Sequence, residues 1–445
     1  MTLSLLERDA RAIAGVEKLR FFPLEVVSGQ GSILVDPAGR ELIDLSATWT
    51  ATGLGHGHPA VVEAVSRAVR SAPGAGGLSA IHPDSVGLAE DLLAIVPSDP
   101  GTERRVYLGH AGSDANDVVL RACRHASGRS TVVAFEHGYH GGLGLAMGVS
   151  GQQIEAGHDG DPDLVLVPYP NPFRPGPGGV EADVAASLTA IRAALASDRV
   201  ACLIVEPILS DGGLVVPPDG ILRAVHEACR AAGVPLVVDE VKVGLARTGT
   251  LHAFQHDGIA PDIVTFGKAL GAGLPLSAAV GPAAILDHPA GSALLTTAGN
   301  PVSTAAGRAV LRTIAEEGLV ERSAQAGDRF SAGLRRLAAG GGVEGGLSAE
   351  RIGDVRGRGL TIGLELVRDR DGLEPDGDLA RRVVYRAWQL GAVVYYVGGN
   401  VLEITPPLVI TDDEIDRAVD ILDRAIADAI AGRVSDEEVQ DYAGW

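Results

Sequence analysis

The sequence predicts an α/β protein: a mostly parallel sheet covered by helices on both faces, followed by a C-terminal part of different style. Two observations carry this. Seven short apolar runs, each about one buried strand long, recur between residues 106 and 280 with helical stretches between them. After about residue 325 that alternation stops, and longer strand-like runs precede a single long helical stretch.

The strand-like runs are Val106-Tyr107-Leu108, Val132 to Phe135, Leu164 to Val167, Cys202 to Val205, Leu236 to Val238, Ile263 to Phe266 and Ser277 to Val280. Helices are expected at Asp114 to Ser127, Glu181 to Ala196 and Pro217 to Ala232. Pro301 opens an amphipathic run to Glu317 and suits the first helical position, where its missing N–H costs nothing. In the last third, Val355 to Val367, Val393 to Val397 and Val401 to Thr405 read as strands, and Thr411 to Ala431 as a helix. The Gly-rich stretch Gly340 to Gly346 reads as a surface loop.

Composition narrows the function. A chain of 445 residues, 46% hydrophobic, can bury a large core and should hold two or more domains. No apolar stretch approaches the roughly 20 residues needed to span a bilayer. The opening residues Met1 to Asp9 lack a basic region followed by an apolar core, so no leader is expected. Cys123, Cys202 and Cys229 have no CxxC spacing and read as reduced core residues of a cytoplasmic protein, and no metal-ligand set stands out. The net charge of −20 argues against nucleic acid or an anionic membrane as partner, and suits a cationic substrate.

Lys268 is the most informative residue. It stands in Phe266-Gly267-Lys268-Ala269-Leu270-Gly271-Ala272-Gly273, after Asp239 at the end of the apolar run Pro235 to Val238. The chain has only three lysines, Lys18, Lys242 and Lys268. A lysine among small neighbours and a carboxylate at a strand end are what pyridoxal phosphate chemistry requires: an amine to hold the cofactor as a Schiff base, and an anion for its pyridinium nitrogen. Gly112 and Ser113, in Ala111-Gly112-Ser113-Asp114-Ala115-Asn116, open a helix after a strand and suit a phosphate. Tyr139, in Tyr139-His140-Gly141 at another strand end, suits stacking on a planar ring.

Together with Glu206-Pro207, Asp239-Glu240-Val241, Arg247-Thr248-Gly249 and Thr296 to Pro301, these motifs follow the order and spacing of the class III (omega) aminotransferases. The resemblance runs from Gly55-His56-Gly57-His58-Pro59 to Pro406-Pro407-Leu408. It implies a fold-type-I pyridoxal 5′-phosphate transferase whose large domain carries a seven-stranded sheet, with a smaller α+β domain from both termini. The implied boundaries are 1–55, 56–324 and 325–445. It further implies a homodimer with shared active sites. Residue by residue, it makes Lys268 the cofactor-bearing base and Asp239 the partner of the ring nitrogen. The resemblance also implies that Gly112 and Ser113 hold the phosphate, with Thr296 reaching the neighbouring subunit's cofactor, that Tyr139 and Val241 take the two ring faces, and that Glu206 orients the site.

Departures from the family pattern bear on the substrate. Glu403 stands where many members carry a carboxylate-binding arginine, and Gly142 where 4-aminobutyrate aminotransferases carry another. Asp211 stands where the family often has glutamate or a small residue, and Trp49 belongs to a segment that faces the substrate in the family. Acidic groups with an aromatic plate suit a cationic amino sugar, so the chain is similar to the 6′-aminotransferases of aminoglycoside antibiotic biosynthesis. Lys242 replaces a commoner cofactor-bonding glutamine; it either keeps that donor role or supplies the second base of an epimerase. Deoxygenation of the same substrates is a further alternative. The stretches Glu206 to Gly213 and Asp354 to Gly359 are also similar to dialkylglycine decarboxylases, so decarboxylating transamination is an alternative too.

Overall fold

The structure, a computed structural model, describes residues 3–71, 74–344, 346–442 and 444. Strands β1 (Arg104–Gly109), β2 (Thr131–Phe135), β3 (Leu164–Val167), β4 (Val200–Val205), β5 (Leu236–Asp239), β6 (Ile263–Phe266) and β7 (Ser277–Pro282) form one sheet. Its order is β1-β7-β6-β5-β4-β2-β3. The ladders from β2 to β6 are parallel, while β7 runs antiparallel to both its neighbours. This is the α/β fold that the alternation predicts. Every residue of β2, β4, β5 and β6 is buried, because helices cover both faces and no position is left for alternation with polar residues.

Helices between and after these strands include α1 (Gly112–Ser127), α2 (Val180–Leu195), α3 (Ile221–Ala232) and α4 (Pro301–Glu316), of which α1 starts at the site. Val119, Leu120 and Cys123 of α1 join Val132, Ala134, Cys202, Ile204 and Val237 in one core cluster. Each such side chain contributes about 1.5 to 3 kcal/mol when fully buried. All three cysteines are free and buried. Helix α4 starts as expected, with Pro301 in its first turn and Asn300 accepting from the Val302 and Ser303 N–H groups. Helix α3 starts four residues later than expected. Pro218 disfavours helical backbone at Pro217, and Gly220 (φ 86°) makes the turn into Ile221.

The chain divides into two compact units. One contains Trp49–Leu54 and His58–Ala324; the other contains Met1–Thr48, Gly55–Gly57 and Gln325–Trp445. In the second, β8 (Ile352–Arg358), β9 (Thr361–Leu366), β10 (Tyr395–Val397) and β11 (Val401–Ile404) form an antiparallel sheet ordered β8-β9-β11-β10. Two expected single strands are each two. Val355 to Val367 turns back at Gly359 and Leu360, with Arg358 paired to Thr361. Val393 to Val397 splits between two sheets: Ala392–Val393 runs parallel to Glu41–Asp44, whereas Tyr395–Val397 pairs with β11. The change of partner leaves the apolar run Val393 to Val397 unbroken, so periodicity cannot reveal it, whereas the reversal follows the turn signal of Gly357 and Gly359. Residues 340–344 and 346 form turns after the helix Leu319–Ala338; Gly345 and Met1–Thr2 lie outside the described residues. Among the described residues no helix is long and apolar enough to cross a membrane.

Gly327 of the helix Leu319–Ala338 has no room for a side chain, because a Cβ there would overlap the Gly359 carbonyl oxygen. Gly327→Ala should therefore lower stability by about 1 to 3 kcal/mol in chemical unfolding, as overpacking does, instead of gaining from better helix propensity. Unchanged or greater stability would show that the β8–β9 turn yields freely.

Candidate active site

Loops at the carboxyl ends of β1, β2, β4, β5 and β6 converge along one edge of the sheet, where α/β folds bind ligands. Asp239 ends β5 and is 4% exposed. Its Oδ2 accepts from Asn116 Nδ2 at 2.8 Å and lies 2.9 Å from His140 Nδ1, and its Oδ1 accepts from the Val241 N–H at 3.0 Å. Both oxygens of this buried carboxylate are thus hydrogen-bonded, which offsets the cost of taking it out of water. Asn116 also donates to the His140 carbonyl at 2.8 Å, and the His140 N–H donates to Ser150 Oγ at 2.8 Å, so the donors are themselves fixed.

Gly112 starts α1, and a Cβ there would come 2.6 Å from Val241 Cγ1. A Cβ on Gly267 would come 3.0 Å from the Gly112 nitrogen, and one on Gly141 (φ 142°) would come 2.7 Å from Ser113 Oγ. Ser113 Oγ also accepts from the Gly142 N–H at 3.2 Å. Backbone from three loops thus closes on the free N–H groups at the start of a 16-residue helix, a cradle for a phosphate. Lys268 follows Gly267 with φ 43°, a left-handed backbone that side-chain-bearing residues adopt at a cost of about 1 to 3 kcal/mol. A helix N-terminus suited to an anion, a buried carboxylate and a loop lysine fit pyridoxal phosphate.

On the Tyr139 side the site is more polar. The Tyr139 N–H donates to Glu206 Oε1 at 2.9 Å, and the Ser210 N–H to Glu206 Oε2 at 3.3 Å, so one carboxylate ties two loops. Asp211, next to Ser210, forms a buried ion pair with Lys242: Nζ to Oδ1 is 2.5 Å. Lys242 Nζ also lies 5.2 Å from the ring centroid of half-buried Trp49. Burial opposes the Asp211 charge, but Lys242 and then Lys268 hold its carboxyl below the usual range. Burial pushes the Tyr139 hydroxyl up to about 12, aided by Asp211 and opposed by Lys242. Burial also raises Glu206 to about 7, against the pull of His140. Glu240, accepting from Ala253 and Phe254 N–H groups at 2.9 Å each, is raised to about 7 by burial as well.

Trp49 comes from an unusual segment. Ala47, Thr48, Trp49 and Thr50 have φ of 46, 53, 57 and 66°, a left-handed turn without glycine that costs about 1 to 2 kcal/mol per residue. Thr296 is exposed, beside Thr297, whose hydroxyl lies 3.1 Å from His110 Nε2. Glu403 is in the other compact unit, 2% exposed on β11, opposite Gly363 and Tyr395.

The aminotransferase class-III family model matches residues 14–426. The chain belongs to the class-III aminotransferases. It is a pyridoxal phosphate-dependent enzyme, and isoleucine 2-epimerase of Lentilactobacillus buchneri is 35% identical over 99% of this chain and 98% of its own. Leucine/methionine racemase of Thermococcus litoralis is 36% identical, covering 99% of each chain. Acetylornithine aminotransferase of Mycolicibacterium smegmatis is 36% identical over 92% of this chain and 95% of its own. Among solved structures, the omega transaminase of Pseudomonas jessenii in complex with PMP superposes with a TM-score of 0.87, at 25% identity, over 97% of this chain and 99% of that one. Ornithine aminotransferase of Toxoplasma gondii gives 0.81 at 27% identity, over 96% and 94%.

For this class-III enzyme, sequence reasoning gave no role to Asn116 or His140, the two side chains that hold Asp239. Asn116 lies four residues after Gly112, hence on the same helix face, which was a readable signal. The pairing of Asp211 with Lys242 had none, since 31 positions separate them.

Gly112→Ala should weaken cofactor binding tenfold or more in absorbance titration while the fold persists, because the new methyl displaces Val241 and the cradle with it. Undiminished affinity would show that Val241 can retreat. Glu206 and Glu240 predict a pH effect. Their folded-state values are raised, so the folded state binds the extra protons, and their stabilising contribution is full below about 4.5 and lost as pH rises through about 7. Glu240→Gln should flatten the fall of unfolding free energy between those values by up to one proton, about 1.4 kcal/mol per pH unit. A variant slope equal to the wild type's would assign the effect elsewhere.

Proposed function

We propose that the enzyme inverts the configuration at an amine-bearing carbon, as an epimerase or racemase. The observation that carries this reading is the buried Asp211–Lys242 ion pair beside Tyr139. A transaminase returns its proton with one lysine. Inversion needs a second acid–base group across the substrate, and a buried ion pair is poor value for stability alone. Bound pyridoxal phosphate supplies an electron-withdrawing ring that acidifies the C–H next to the amine nitrogen. Lys268, neutral, removes that proton on one side. Lys242, protonated and fixed by Asp211, delivers one on the other, and the roles exchange in the reverse direction. One C–H bond breaks and one forms at the same carbon, with no net redox change. The full-length similarity to isoleucine 2-epimerase and leucine/methionine racemase supports the reading and suggests neutral amino acids as first substrates.

A second reading is favoured by Glu403, buried where a carboxylate-binding arginine is expected: amino-group transfer at the 6′-position of a cationic amino sugar. In either reading we take the enzyme as a cytoplasmic homodimer, with exposed Thr296 serving the phosphate of a second copy's cofactor.

The test is incubation in deuterium oxide with single enantiomers of neutral amino acids and with aminoglycosides bearing a 6′-amine, read by chiral chromatography and NMR. Inversion with retention of nitrogen is expected. Asp211→Asn should slow inversion at least 100-fold, within the 10²–10⁴ range of acid–base catalysis, while leaving exchange with retention. Lys268→Ala should abolish both. Loss of the amine without inversion supports the aminotransferase reading instead.

A further inference from the structure

Trp49 is placed with unusual care. Four successive residues without glycine, Ala47 to Thr50, adopt left-handed backbone. The turn is entered under restraint: Asp44 Oδ1 accepts from the Ser46 and Ala47 N–H groups and from Ser46 Oγ, each at 2.9 Å, and Ser46 Oγ accepts from the Thr48 N–H at 3.1 Å. It is left under restraint as well. A Cβ on Gly53 would stand 3.0 Å from the Ala269 Cβ, and one on Gly273 would stand 3.4 Å from Thr52 Cγ2, so the segment after Trp49 lies against the Lys268 loop. Strain of this kind persists where the surroundings impose it, and it gathers at functional sites. What the turn delivers is the indole, its centroid 5.2 Å from Lys242 Nζ, within the range of a cation–π contact.

We propose that Trp49 is a positioning residue for Lys242, its indole holding the ammonium against Asp211. Lys242 is therefore gripped from two directions, by a carboxylate at 2.5 Å and by a ring face. Other ionisable groups near the pair are Tyr139, whose hydroxyl senses both Asp211 and Lys242, Lys268, which acts on Asp211, and Glu206, which Asp211 helps to raise. Removing the ring weakens the charged form of Lys242 and lets its side chain leave the Asp211 carboxylate. The catalytic consequence rests on the proposed inversion chemistry; the placement of Lys242 does not.

The experiment exploits the three-lysine composition. The holoenzyme is labelled with trace acetic anhydride from pH 7 to 11, and each lysine peptide is quantified by mass spectrometry. Lys268 is masked by the cofactor, and Lys18, paired with Asp9, serves as an internal reference. Trp49→Leu should lower the Lys242 labelling midpoint by about one pH unit, the size of a desolvated cation–π contact, and Trp49→Phe by less. Lys18 should not move. In wild type and variants that invert substrate, the ratio of inversion to exchange should fall in the same order. An unchanged Lys242 midpoint in Trp49→Leu, or equal shifts in the two variants, overturns the proposal. If the leucine variant does not fold, the phenylalanine variant decides alone, with no shift counting against. Because labelling reads Lys242 directly, it answers even if the enzyme proves to be an aminotransferase and the inversion reading fails.

Discussion

The whole site depends on satisfying the hydrogen-bonding needs of one carboxylate inside the protein. Asp239 is almost fully buried at the end of β5, and Asn116, His140 and the Val241 N–H together satisfy both its oxygens. Those three donors come from the element after β1, the loop after β2 and the chain just beyond β5. Satisfying Asp239 therefore fixes the relative positions of the α1 start, the Tyr139 loop and Val241. A network of this kind is rigid only when complete, because in a low-dielectric interior each missing bond leaves a costly orphan. The glycines at 112, 141 and 267 serve the same end, letting backbone approach where side chains would push the loops apart.

Around this fixed centre lies a ring of charge that is balanced locally. Asp211 and Lys242 neutralise each other, while Glu206 and Glu240 are drawn toward protonation near neutral pH. Glu206 links the Tyr139 and Asp211 loops through two backbone N–H groups, so a proton on that carboxyl would bear on both walls of the site at once.

Most of the fold was legible because strands β2, β4, β5 and β6 are buried on both faces, and burial writes itself into sequence as unbroken apolar runs. The small unit was less so. Its strand pairs are joined by very short connections, and a change of hydrogen-bonding partner at Val394 leaves no compositional trace. The same divide runs through the site. Lys268, Asp239 and Gly112 stand out through local context, a lysine among glycines or a carboxylate after valines. His140, Asn116 and the Asp211–Lys242 pair act through contacts 24 to 123 positions apart, which only the folded chain creates.

Strand β7 carries a consequence for how the chain is made. Among the described residues, edge strand β1 pairs with β7 alone, with Gly109 opposite Ser277 and Arg104 opposite Pro282. A ribosome adding roughly 5 to 20 residues per second needs on the order of 10 to 30 s to make the intervening chain. Throughout that interval β1 has an open hydrogen-bonding edge on both sides, while the five-strand parallel block from β2 to β6 can already assemble. Long-range closure of this kind is slow, and the nascent chain is most exposed to misassociation just before residue 282 emerges.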